Sequence, residues 1–368
     1  MKLRVKFFMF LFLSTTHIFS QFSEEPYVPI DSIKAKKVKI IGLPIAFYTP
    51  ETNVGFGGGG QIFLLQNSNK YNFRKSNILV SGIYTLNNQL LIDINPEIYL
   101  MKGDYLLDMA YQFKIFPNSF WGIGGDTPDE NMESYNMTSN EFSVAFIKRL
   151  PPFLNFGFEY FFNDYDITEV EEGGILDEGD VLGAEGARIT GLGVIFNQDK
   201  RNNNISPSKG NLLQLKAQFS SQNFGASSDF NRFTFDARVF EKVGRSNVLA
   251  FQLYWEGVFG DVPFQAKSWY GGGSRARGYF RGRFIDDLLY VFQAEYRYKF
   301  HQRWSAAGFL LAGEVSDRVD NFFQNIKPSV GGGIRYKFNK SQDTLLRLDI
   351  GVGIDGNSGF YFGVNEAF

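Results

Sequence analysis

Residues 292–300 read Phe292-Gln293-Ala294-Glu295-Tyr296-Arg297-Tyr298-Lys299-Phe300, with an apolar or aromatic residue at every even position and a polar or charged one at every odd position. Side chains alternate across a β-strand, so this run has one greasy face and one charged face. The same period recurs elsewhere. Leu213, Leu215, Ala217 and Phe219 alternate with Gln214, Lys216, Gln218 and Ser220, and Leu346, Leu348, Ile350 and Val352 alternate with Arg347, Asp349 and Gly351. Phe233, Phe235, Ala237 and Val239 alternate with Thr234, Asp236 and Arg238. In water, strands this long and one-sided would need a second sheet, as in a soluble sandwich. In lipid the apolar face is simply the outside, and closure into a barrel satisfies the backbone.

Composition agrees with the lipid reading. The 368 residues contain 41 Phe, 18 Tyr and 39 Gly, no Cys, and a net charge of -2. No apolar run after the amino end approaches the roughly 20 residues a spanning helix needs. Without cysteine there is neither a lipid anchor on sulfur, nor a disulfide frame, nor thiolate chemistry. The near-neutral charge and absence of a basic stripe argue against nucleic acid as a partner.

Counting alternating segments predicts an all-β, antiparallel transmembrane barrel of about 16 strands, each roughly 10 to 14 residues. Among them are segments at about 104–115, 138–149, 153–165 and 358–368, with the usual error of a few residues at each end. Connections are short at Met101–Gly103, Leu150–Pro152, Lys242–Arg245, His301–Gln302 and Lys340–Gln342, and long at Phe116–Met137, Asp164–Gly186 and Gly260–Asp287. Asn67–Arg74 and Gln198–Lys209 are longer than the ideal inner turn. Short turns within and long loops without is the outer-membrane pattern, and it places both termini in the periplasm. A soluble sandwich does not predict it.

The amino end reads as an export signal. Lys2, Arg4 and Lys6 precede the apolar run Phe7–Leu13, and Ser20 offers a small residue for cleavage. The expected layout is a signal peptide over 1–20, a short periplasmic segment over 21–39 and an outer-membrane barrel over 40–368. The carboxy end, with Phe360, Phe362, Val364 and Phe368, resembles the terminal signal by which such barrels are recognised for insertion. Barrel-assembly machinery is therefore expected to insert this chain. Glu366 interrupts that face and is expected at the periplasmic interface.

The long segment before the twelfth strand contains Arg277-Gly278-Tyr279. This resembles the Arg-Gly-Phe/Tyr signature of the bacterial surface-antigen barrel family, the BamA/TamA-like barrels. The resemblance implies a loop folded into the lumen with Arg277 paired to acids on the next two strands, Glu295 being the first. Further matches extend it over 40–368: Leu43-Pro44 and Tyr48–Gly55, Asp199-Lys200-Arg201 with Pro207 and Gly210, Gly331–Tyr336, and Leu346–Gly351. In physical terms, a guanidinium pairs bidentately with carboxylate, and Gly278 permits a tight turn. The alternative is an arginine solvated at a loop tip.

Two departures from the family pattern stand out. Leu311 occupies the position of the second acid, and Glu314, an odd number of residues away, points to the opposite face, leaving Glu295 as the expected acidic partner. The assembly members also carry POTRA domains ahead of the barrel, for which residues 21–39 are too few.

Enzymatic readings lack residues. His301 is the only histidine beyond the signal segment, and no nucleophile–base set accompanies it. The acidic stretch 164–186 is read as a solvated loop rather than a calcium site, its spacing matching no fixed calcium loop. Gly55–Gly60 lacks the Lys-Ser/Thr of a phosphate loop and is read as a weak early strand beside the family's seam. The chain is thus expected to be a non-enzymatic, cofactor-free accessory in outer-membrane protein assembly or translocation, with protein partners or further copies of itself. A channel or structural component is the alternative.

Overall fold

The computed structural model describes residues 38–49, 53–64, 76–150, 152–178, 180–203, 205–337 and 345–368. The expected signal peptide and nearly all of the 21–39 segment lie outside these residues, as do the connections 67–74 and 340–342. The strands are β1 (Val38–Thr49), β2 (Asn53–Leu64), β3 (Ser76–Thr85), β4 (Leu90–Leu100), β5 (Tyr105–Phe120) and β6 (Glu133–Leu150). They continue as β7 (Leu154–Glu169), β8 (Gly186–Asp199), β9 (Gly210–Ser220), β10 (Phe230–Val243), β11 (Asn247–Gly260) and the short β12 (Ser268–Tyr270) and β13 (Phe284–Asp286). The last are β14 (Leu288–Lys299), β15 (Trp304–Ser316), β16 (Lys327–Lys337), β17 (Leu345–Gly353) and β18 (Ser358–Val364).

Sixteen of these strands form one antiparallel sheet in which each pairs with its neighbour in sequence, β11 pairing with β14 across the long connection. β12 and β13 make a separate two-stranded hairpin inside that connection. β1 and β18 stand at the two ends of the sheet order. The fold is the expected barrel with an inward-folded long loop.

Its amphipathicity is inverted relative to a soluble protein. In β14, Phe292 is 47% exposed while Gln293 and Glu295 on the opposite face are fully buried. Leu310 of β15, Val330 and Ile334 of β16 and Phe360 and Phe362 of β18 are likewise exposed and apolar. A continuous apolar band of this kind is stable only against lipid.

Three departures from the sequence expectation have identifiable causes. β5, β6 and β7 run past their predicted ends at the long-loop end of the barrel. Phe116–Phe120 ladders against Glu133–Met137 even though Pro117, Asn118 and Ser119 break the alternation. What holds them is tertiary: Phe120, Tyr135 and Met137 pack with Leu176, Ala184, Phe264 and Ile285 from two long loops. The 164–186 stretch is correspondingly more than a solvated loop, for Glu133 accepts the Leu176 N–H at 2.9 Å and Leu176 is buried. Among the described residues no group of three or more acidic or histidine side chains could hold a metal.

The third departure is at the carboxy end. β18 stops at Val364 rather than continuing to residue 368. Asn365 takes a left-handed φ of 69° and donates its N–H to Leu345 O at 2.8 Å. That turn reverses the parity of residues 366–368. Phe360, Phe362 and Val364 keep their outward rings and methyls, whereas Phe368 is buried against Phe240, Val248 and Ala250. Glu366, expected at the membrane interface, instead points inward and bonds Arg335.

Leu310 sits mid-strand on the lipid face, 63% exposed. We expect Leu310→Arg to destabilise the barrel by about 2–4 kcal/mol in lipid vesicles, measured by denaturant unfolding. A change near zero would mean that this face meets water.

Candidate functional site

After Gly260 the chain turns back into the barrel, and the β12–β13 hairpin carries the tip 271–283 into the lumen. Arg277 is fully buried there. Its Nη1 donates to Glu295 Oε2 and to Asp349 Oδ2, each at 2.7 Å, and Nη2 donates to Gln293 Oε1 at 3.3 Å. The guanidinium carbon lies 3.6 Å from the centre of the Phe309 ring, a cation–π contact in a dry site.

The other two motif residues fasten the loop to the last strands. Gly278 has φ of +111°, and an added Cβ would sit 3.0 Å from Ser329 Cβ and 3.1 Å from Gly353 N, so only glycine fits. Its N–H donates to Tyr361 Oη at 2.8 Å, and that hydroxyl donates onward to Tyr279 O at 3.1 Å. The Tyr279 hydroxyl donates to Pro328 O at 2.8 Å and accepts the Ile354 N–H at 3.1 Å. Its ring meets Tyr270 edge-on within a buried cluster that includes Phe309 and Leu311. Gly351 clears the path, since a Cβ there would lie 2.7 Å from Gly278 N.

Arg277 therefore has two acidic partners, not the single one the sequence suggested. Leu311 fills the second acid's expected place with apolar packing, and Asp349 on β17 supplies the carboxylate instead. Glu314, as parity required, faces away from Arg277. It accepts backbone N–H groups of Phe323 and Asn325 at 2.9 and 3.1 Å.

The lock is one corner of a larger network. Asp349 also accepts from Arg335 Nη1 and, at 2.8 Å, from Arg347 Nη1. Glu295 accepts from Arg297 Nε at 2.8 Å and Arg335 Nη2 at 3.3 Å. Arg335 Nε reaches Glu366 at 3.1 Å, and Arg297 reaches the Pro207 and Phe368 carbonyls at 3.2 and 3.0 Å. Four guanidinium groups (277, 297, 335, 347) thus face three side-chain carboxylates (295, 349, 366). Gln293 and Gln252 relay the network to Asp236 on β10, through bonds of 2.6 and 2.8 Å.

The 197–210 turn has its own brace: Asp199 accepts from Arg201 N, Nε and Nη2 at 3.0–3.1 Å. Pro207 of the same turn joins the network through Arg297. At the lumen mouth, burial pushes the Asp286 carboxyl up to about 6, the adjacent Asp287 carboxylate adding to the shift. There too, Arg283 ties the loop to Asp129 at 2.6 Å, and Gly124 N donates to Ile285 O at 2.8 Å.

Sequence reasoning identified Arg277, Gly278, Tyr279 and Glu295, and the structure brings all four together. It missed Gln293, Ser329 and Tyr361 as contacts of the motif. Asp349 and Arg347 were placed on the lumen face by parity, but nothing local reveals that Asp349 meets Arg277.

With this geometry in view, a model of the Omp85 superfamily domain matches residues 95–368. BamA from Haemophilus ducreyi lacking POTRA domains 1-3 superposes with a TM-score of 0.59 at 11% identity, over 90% of this chain and 70% of that one. CdiB from Acinetobacter baumannii (TM-score 0.56, 14% identity) and CdiB from Escherichia coli (0.56, 10%) are each matched over 90% of this chain. The chain spans 60% and 63% of those two proteins. Identities this low show a shared fold alone. No curated protein matches the sequence.

The number of partners each group serves makes the substitutions unequal. Asp349→Asn strips the carboxylate that three arginines share and is expected to cost about 3–5 kcal/mol, whereas Arg277→Met leaves Glu295 and Asp349 with two arginines each and costs less. Denaturant titration of both variants in vesicles checks the order, and limited proteolysis within 260–287 reports whether the loop has come free. Equal losses would mean that the network does not act as one electrostatic unit.

Proposed function

This chain belongs to the Omp85 superfamily, and from that premise we propose that it acts in the assembly or translocation of outer-membrane proteins, through a barrel with one clamped wall and one yielding wall. The observation that carries the reading is the Arg277 lock. The loop's bonds run to Gln293 and Glu295 on β14, Ser329 on β16, Asp349 on β17 and Tyr361 on β18. The last strand is thereby held from inside the lumen.

The first hairpin is built differently. Gly57, Gly58, Gly59 and Gly60 of β2 pair with Ile45, Pro44, Leu43 and Gly42 of β1. Glycine carries the largest backbone entropy loss on folding, and proline cannot donate to a ladder, so this edge is the weak one. A seam between β1 and β18 would then open by movement of β1 and β2, giving an unfolded strand an edge to pair with. On this reading the short turns and both termini face the periplasm, and partner proteins deliver or receive the client.

A channel role has one observation in its favour, a polar cavity of about 400 Å³ at the short-turn end lined by residues including Glu97, Asp108, Arg201 and Arg238. Against it, the long loops pack on and bond to one another at the other end of the barrel.

Quantitative proteomics of the outer membrane after depletion is the decisive test. Selective loss of other barrels or surface proteins is expected. An unchanged inventory, together with conductance that rises in Arg277→Ala, would establish a channel instead. The seam has its own check: amide hydrogen exchange at residues 53–60 is expected to outpace that in β5–β7, and equal protection would remove the yielding wall.

A further inference from the structure

The connection between β15 and β16, residues 317–326, lies at the long-loop end but does not project from it. It folds back along the outside of the barrel. The rings of Phe322 and Phe323 pack on Tyr290 at 5.0 and 5.2 Å. Tyr290 shares the outward parity of Phe292, Tyr296 and Tyr298 on β14, so this packing is on the lipid-facing surface.

Beneath the strap sits Glu314, also outward, in register opposite Tyr290 and only 1% exposed. A carboxylate on a lipid-facing wall is costly unless its lone pairs are filled. Here they are filled by the Phe323 and Asn325 N–H groups at 2.9 and 3.1 Å and by the Tyr290 hydroxyl at 3.2 Å. The strap is braced further by Asn321 Nδ2 donating to Asp317 Oδ1 at 2.7 Å and Ser316 Oγ donating to Arg318 O at 2.8 Å.

What the strap presents is apolar. Phe323 is 72% exposed and Val319 64%. Phe323 holds a φ of +71°, a left-handed conformation that bulky residues avoid unless their surroundings impose it. Ile326 shares the parity of Pro328, Val330 and Ile334 and extends the lipid-facing row of β16 toward the strap. Arg318 and Asp320 flank it and are well exposed.

We propose that residues 317–326 form a membrane-interface foot, seated at the headgroup–acyl boundary of the leaflet at the long-loop end. Phe323 and Val319 enter the lipid, Arg318 and Asp320 remain among the headgroups, and Glu314 holds the strap in shape. Aromatic side chains favour this depth in membrane barrels, and apolar area buried there adds to binding. The foot would fix the depth of β14–β16, the wall that also carries much of the Arg277 network.

The chain has no cysteine, so single cysteines give unique labels. Phe323→Cys and Val319→Cys in the full chain, each carrying a nitroxide, would be reconstituted into phosphatidylcholine–phosphatidylglycerol vesicles. Collisions with oxygen and with a water-soluble nickel chelate would then be compared. Leu310→Cys serves as the lipid-facing reference and Ser246→Cys as the aqueous one, with heat-modifiable gel mobility reporting folding. Nickel collisions at 323 and 319 are expected severalfold below those at 246, with oxygen collisions approaching those at 310. Adding Glu314→Ala should return position 323 toward the aqueous value while the barrel stays folded. Nickel access at 323 and 319 equal to that at 246 would overturn the proposal. So would protection that appears only in native membranes and not in the purified vesicles, since a protein would then be the cover.

Discussion

The buried cluster of four arginines and three acids is the interaction on which the interior depends. None of its charges could occupy a dry lumen alone, because the desolvation cost of an unpaired ion far exceeds what one hydrogen bond returns. Together they form a set in which Asp349 and Glu295 each serve three guanidinium groups. The surrounding residues conform to that set. Gly278 and Gly351 let the loop backbone come close enough for Arg277 to reach it, and Phe309 covers the guanidinium face. Glu366 turns inward and adds a third carboxylate to an otherwise cation-rich centre.

The network also divides the barrel. Strands β14 to β18 are bound to a single inserted loop, with relays through Gln293 and Gln252 to β10 and through Arg297 to the 197–210 turn. In the first hairpin four consecutive glycines of β2, Gly57 to Gly60, lie in the ladder with β1. Stability in such a wall is local, and a glycine-rich ladder carries the larger ordering cost. The long loops complete the asymmetry, packing on one another around Phe264 and Ile285.

Much of this was legible in the chain, and for a physical reason. Strand parity is a nearest-neighbour property, so period-two alternation placed Glu295, Arg297, Arg347 and Asp349 on the inward face without any structure. It also turned Glu314 outward correctly. The same rule misplaced Glu366, because one left-handed residue, Asn365, reverses parity at a point where the pattern has no warning of it. It shortened β5 and β6 too, whose ends are held by contacts with loops far away in sequence.

By itself, then, the sequence determined the all-β, lipid-embedded barrel, its strand number, the alternation of short and long connections, and the arginine motif with its first acid. Only the tertiary structure decided which acid replaces the one lost at Leu311, how the network closes on Glu366, and that the 317–326 connection lies along the wall. Those outcomes depend on register between strands and on the path of loops. Both are set by non-local packing, where a shift of one residue changes every partner. Alternation tells which side of the sheet a residue takes; the depth at which it meets a distant strand emerges only when all sixteen strands are in place.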